Sequence, residues 1–227
     1  LKYIFLFLMS FFSIGLLVGC QNQNDEATLI ITSEQIKQLS EQDIVAIGAQ
    51  ACAQSDKRSV IANENSWLNK KLEMLTQTLP KQINNIEVTY KVYLNSDPNA
   101  WSTINGCIRI NSGLMKLLND NELQAVLAHE QAHIALKHTV KSFKLAPYVE
   151  ITNKDKEIIV LVKEEIAQQY EFEADLYALD LLVSKNIDPT GLITMLKKMP
   201  IHSTKKITSH PSTTKRIDHI LDRLSSK

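Results

Sequence analysis

The segment His129-Glu130-Gln131-Ala132-His133 places two imidazoles four residues apart, with a carboxylate beside the first. On an α-helix that spacing sets them about 40° apart around the axis and about 6 Å along it, so both rings can converge on one ion. Imidazole nitrogens hold Zn2+ at about 2.0–2.1 Å. Glu130 is then placed to take a proton from water at the metal. The flanking sequence predicts a helix over about 120–140: it has no Pro or Gly from Asn119 to Val140, and Asp120 can cap its start. Leu123, Ala125, Val126, Leu127, Ala128, Ile134, Ala135 and Leu136 make this helix apolar around the motif. Histidines inside a buried helix need partners, and a metal ion is one.

A catalytic zinc takes three protein ligands and keeps a fourth position open. Downstream, a second long helix is predicted over about 154–185, with Ile166, Tyr170, Ala174, Ala178 and Leu181 as its apolar stripe. Glu171 and Asp175 lie one turn apart on it. Carboxylates on a packed face are costly unless paired or bound to metal. Glu171 is therefore the candidate third ligand. Asp175 is a candidate partner for the free ring nitrogen of a liganding His. The alternative is a solvated acidic patch shared with Glu165 and Glu173.

The pair HEQAH and EFEAD resembles the M48 family of zinc metallopeptidases, with its HExxH and ExxxD motifs. Three further stretches carry the resemblance. One runs from Asn99-Ala100-Trp101 through Gly106 to Ile110-Asn111-Ser112-Gly113-Leu114; another is His138, five residues after the second ligand; the last is His210-Pro211 with Arg216, as HPxxxxR. The likeness spans roughly residues 60–225. It implies that His129, His133 and Glu171 bind one Zn2+ and that Glu130 is general base and then proton donor to the leaving amine. Asp175 would stand behind the ligands. His210 would stabilise the oxyanion or occupy the open metal position, against the plainer reading of a His at a helix start. His138 is expected to serve structure rather than ligate metal, and Arg216 to pair with an acidic group near the site. The strand around Ala100, Trp101 and Ser102 would hold an extended substrate along its edge.

The first nineteen residues are expected to form a signal peptide: Lys2 precedes a run from Tyr3 to Val18 that is nearly all apolar. Leu17-Val18-Gly19-Cys20 resembles a bacterial lipobox, which implies acylation of Cys20 and stable membrane anchoring. Gln21 at the next position implies the outer membrane, on its periplasmic face. Residues 20–32 read as a tether. Cys52 and Cys107 remain in the mature part. In an oxidising compartment they are either bridged or two buried thiols.

The elements around these motifs predict an α+β fold, mostly helical: a single zincin-like domain over 33–227 with a small antiparallel sheet beside the active-site helix. Helices are expected from Ser33 to about Ser55, Asn63 to Thr78, Ser112 to Leu118, Thr190 to Met199 and about Ser212 to Leu224. A strand is expected over Ile86–Leu94, and a hairpin over Trp101–Ile110 turning at Asn105-Gly106. Residues 141–153, with Pro147, read as an irregular segment that could gate a cleft. Lys and Arg number 25 against 25 Asp and Glu, so there is no electrostatic case for nucleic acid. The expected function is a membrane-tethered endopeptidase that hydrolyses misfolded or misassembled envelope proteins. The alternative is a chaperone-like lipoprotein that holds unfolded clients in the same cleft with little turnover.

Overall fold

The computed structural model describes residues 3–6, 28–152, 157–199 and 212–225. Cys20, His210 and most of the expected signal segment and tether lie outside the described residues. Tyr3–Leu6 forms strand β1 and Thr28–Thr32 strand β2. The helix expected from Ser33 to about Ser55 is two helices, α1 (Ser33–Gln38) and α2 (Glu41–Arg58). The break is local. Ser40 Oγ accepts from the Asp43 N–H at 3.1 Å while the Asp43 carboxylate accepts from the Ser40 N–H at 2.8 Å, a second capping box that restarts the helix. Helix α3 (Trp67–Thr76) starts later than expected because Ser66 caps it, and the Ser66 N–H donates back to the Asn63 carbonyl in the preceding turn.

The strand expected over Ile86–Leu94 is split. β3 (Gln82–Ile83) and β4 (Ile86–Glu87) form a hairpin around Asn84-Asn85. Both asparagines have positive φ, 51° and 62°, as a two-residue type I′ turn requires. Only β5 (Thr89–Tyr93) enters the main sheet, which β6 (Ala100–Ser102) and β7 (Cys107–Asn111) complete in the order β5-β7-β6. The β6–β7 hairpin is antiparallel, as expected, and β5 runs parallel to β7 on the other side, so the sheet is mixed. The turn is wider than Asn105-Gly106 alone. The Gly106 N–H donates to Thr103 O at 3.1 Å and the Thr103 N–H to Cys107 O at 2.9 Å. This lets Ile104 turn inward, where it is buried against α2 at Gly48. Gly106 has φ 87°, and a Cβ there would collide with the Glu87 carbonyl, so no other residue fits.

After α4 (Ser112–Leu117) comes the motif helix α5 (Asp120–Ala135). Asn119, not Asp120, is its cap: Asn119 Oδ1 accepts from the Glu122 N–H and Glu122 accepts from the Asn119 N–H, both at 2.9 Å. Likewise the cap of α4 is Asn111, while Ser112 donates to Asn95 O. α5 stops short of the expected Val140. Lys137 is left-handed, with φ 55° and ψ 36°, and the Asn84 side-chain amide caps the Ala135 carbonyl at 3.0 Å. The segment read as an irregular gate is ordered instead: α6 (His138–Leu145), then β8 (Tyr148–Thr152). β9 (Glu157–Val160) pairs with β8, so α7 (Glu164–Ser184), the helix that carries Glu171 and Asp175, begins later than about 154. These strands form a second sheet, antiparallel throughout, in the order β1-β9-β8-β2. Helices α8 (Thr190–Lys198) and α9 (Thr213–Ser225) stand where the periodicity puts them.

Helix predominates and the fold is α+β. The larger core cluster gathers around α5 and takes side chains from α3, β5, β7, α4, α7, α8 and α9. So enclosed, α5 buries polar residues, Glu122, His129, Gln131 and His133, along with its apolar ones, and its amphipathic pattern is weak. The smaller cluster joins α1, α2, α6, β8, β9 and Ile104.

Candidate metal centre

Helix α5 places His129 and His133 on one buried face, with their Nε2 atoms 3.1 Å apart. α7 packs along α5. Ala125, Ala128 and Ala132 on α5 and Ala167, Ala174 and Ala178 on α7 are all fully buried, and such small residues let two helices approach closely. That approach delivers Glu171, whose carboxylate oxygens lie 3.5 Å from His129 Nε2 and 3.6 Å from His133 Nε2. One donor atom from each of the three residues falls within 4.8 Å of the others. A tetrahedral ion with ligands at about 2.0–2.1 Å has edges of about 3.3 Å. Two imidazole nitrogens aimed at each other with a carboxylate across from them therefore fit a divalent ion such as zinc, in donor type and in spacing.

Behind the ligands stands a charged layer. Asp175 Oδ1 is 3.1 Å from His129 Nδ1. Arg216 on α9 grips Asp175 with Nε at 2.7 Å and Nη2 at 2.6 Å, while its Nη1 lies 3.1 Å from Glu171. Arg216, expected to pair with one acidic group near the site, is buried and joins both carboxylates. Burial alone would raise the Asp175 carboxyl, but Arg216 outweighs it and holds the group below its usual range. Burial likewise opposes charge on His129, yet Asp175 and Glu171 overcome it and lift that imidazole to about 10. His133 goes the other way, to about 3, through burial and the charge on His129.

On the open side, Glu130 accepts a hydrogen bond from Ser102 Oγ at 2.7 Å. Ser102 ends β6, the outer strand of its sheet, and Ala100, Trp101 and Ser102 are all partly exposed. Among the described residues no other strand covers that edge. Trp101 packs edge-on against Tyr93, ring centroids 6.1 Å apart. On the far side of the sheet Cys52 and Cys107 are joined by a disulfide, Cα atoms 6.4 Å apart, which ties α2 to β7. Two polar contacts at the site had no clear signal in the sequence. The Ser102–Glu130 bond joins residues far apart in the chain, and His138 lies against His133 although helical spacing alone would point it elsewhere.

Two predictions follow from this charge layout. A metal ion must displace the proton of His129 but none from His133, so zinc uptake at pH 7 releases about one proton and affinity rises about tenfold per pH unit between pH 7 and 9. Calorimetry in buffers of different ionisation enthalpy measures both. Arg216→Met leaves Asp175 and Glu171 buried without their cation, and the expected loss is about 3–5 kcal/mol of unfolding free energy together with weaker zinc binding. Denaturant melts and chelator competition would read these losses, and a variant as stable as wild type would show that Arg216 is not what balances the carboxylates.

The family model described as Peptidase family M48 matches residues 62–224. Metalloprotease LoiP of Escherichia coli (strain K12) is 35% identical over 233 aligned positions, covering 92% of this chain and 92% of LoiP. Metalloprotease YcaL of the same strain is 34% identical over 241 positions, covering 94% of each. Among solved structures, the crystal structure of S. mikatae Ste24p aligns at a TM-score of 0.40 and 18% identity, over 76% of this chain and 56% of that one. The match takes in both motif helices and α9, the elements that bring His129, Glu130, His133, Glu171 and Arg216 to one place; the chain belongs to peptidase family M48 and is a metalloprotease.

Proposed function

We propose that the protein is a zinc endopeptidase, one Zn2+ per chain on His129, His133 and Glu171, tethered by an acylated Cys20 to the periplasmic face of a bacterial outer membrane. The observation that carries the peptidase reading to an extended substrate is the Ser102–Glu130 hydrogen bond, which sets a strand edge directly against the general base. A peptide pairing along β6 has its backbone held by main-chain hydrogen bonds, with the scissile bond delivered to the ligand face of α5. Zinc there supplies Lewis-acid polarisation of the carbonyl and activation of water. Glu130 takes the proton from the attacking water and returns it to the leaving amine. Asp175, 3.1 Å from His129 Nδ1, favours the hydrogen on that nitrogen and so keeps Nε2 free as a ligand. His210, which precedes α9 by a few residues, is assigned to the developing oxyanion.

The proposed substrate class rests on the family and the expected location, and the recognition mode is in keeping with it. Backbone pairing reads an extended chain, which folded proteins seldom present and misfolded or unassembled envelope proteins do. The tether rests on Leu17-Val18-Gly19-Cys20 behind an apolar run. No helix among the described residues is long and apolar enough to cross a membrane.

Glu130→Gln is expected to keep stoichiometric zinc and lose cleavage of unfolded casein by at least about a hundredfold. Wild-type cleavage by this variant would remove Glu130 from the chemistry. Cys20→Ser is expected to move the protein from the membrane to the soluble fraction of the envelope while leaving casein cleavage intact. A variant that stays membrane-bound would refute the lipid anchor.

A further inference from the structure

In an uninterrupted helix His138, five residues after His133, would point about 140° away from it. The left-handed Lys137 ends α5, restarts the chain as α6 and swings His138 back onto the metal centre. His138 Nδ1 then lies 2.9 Å from His133 Nδ1, and His138 Nε2 lies 3.2 Å from Glu173 Oε2. The ring is fully buried and stacked on Tyr170, centroids 4.4 Å apart and planes 10° apart. Glu173 is steadied in turn by Gln169 Nε2 at 2.7 Å and by Lys141 Nζ at 3.8 Å.

The hydrogens can be placed by elimination. A carboxylate only accepts, so His138 Nε2 carries the hydrogen toward Glu173. That leaves His138 Nδ1 facing His133 Nδ1 at 2.9 Å, where one hydrogen lies between the two nitrogens. A His133 that offers Nε2 to a metal carries its hydrogen on Nδ1, so His133 is the donor of this pair and His138 the acceptor. A neutral His133 protonated on Nδ1 has its lone pair on Nε2, the atom that faces His129 and Glu171.

We propose that Glu173 and His138 form a hydrogen-bonded relay that fixes His133 in its metal-binding tautomer, with His138 a positioning residue for the centre and Glu173 its anchor. The relay does for the second imidazole what Asp175 does for the first. This rests on the zinc reading above and extends it to residues on the other side of the site.

Zinc affinity by chelator competition, the visible spectrum of the Co2+-loaded protein and the melting temperature after chelation together test the relay. His138→Leu is expected to bind zinc about 10–100-fold more weakly and to shift the Co2+ bands. His138→Asn, whose Oδ1 can still accept from His133, is expected to recover most of that loss. Glu173→Ala, at a partly exposed position, is expected to weaken zinc binding with no change in the melting temperature of the chelated protein. Equal affinity in wild type and His138→Leu overturns the proposal, as does equal loss in the Leu and Asn variants. If His138→Leu does not fold, Glu173→Ala decides, and wild-type affinity there overturns it. A wild-type chain that takes up no zinc overturns the metal reading itself, whereas wild-type uptake with unaffected variants overturns the relay alone.

Discussion

Two carboxylates one helical turn apart, Glu171 at 1% and Asp175 at 0% exposure, set the terms for the whole structure. Charge removed from water on that scale is tolerated only with counter-charge and hydrogen bonds on every side. Arg216 supplies one side, bidentate to Asp175 and in reach of Glu171. The two imidazoles of α5 supply the other. Metal affinity and fold stability are thus drawn from the same cluster of charges. The alanines along α5 and α7 serve that cluster too, because larger side chains would hold the helices too far apart for Glu171 to reach both histidines.

The interruptions in the chain matter as much as the helices. α5 is long enough to carry both ligands and stops two residues later, capped by an amide from the Asn84-Asn85 hairpin. The stop turns His138 inward. The hairpin that caps α5 also splits the strand that would otherwise run into β5. Gln131, inside the motif but facing away from the metal, donates to the Pro80 carbonyl at 2.8 Å and pins the helix to the segment before that hairpin. The motif helix is therefore held at its middle and at its end by one stretch of chain, residues 80–85.

What could be read from the sequence was what depends on local spacing. Histidines at i and i+4, carboxylates at i and i+4, and apolar periodicity placed α5, α7, α8 and α9 and brought forward the residues that the fold assembles. The hairpin at β6–β7 was legible from alternation and an Asn-Gly pair, though its exact turn depends on Ile104 seeking the core. What escaped depends on competition between near-equal local choices or on distant contacts. A second capping box at Ser40 cuts one helix into two. β-Branched residues at 157–160 follow the pull of β8 into a strand, where periodicity alone continued a helix. The bonds from Ser102 to Glu130 and from His138 to Glu173 span segments whose separation in the chain carries no signal.

The parts of the centre come from three places in chain order: His129 and His133, then Glu171 and Asp175, and last Arg216 on α9. Arg216 itself offers the centre no donor atom. Without α9, closing α7 onto α5 would bury two carboxylates against imidazoles alone. The helix that contributes nothing to the ion is therefore the one that lets the other two close around it.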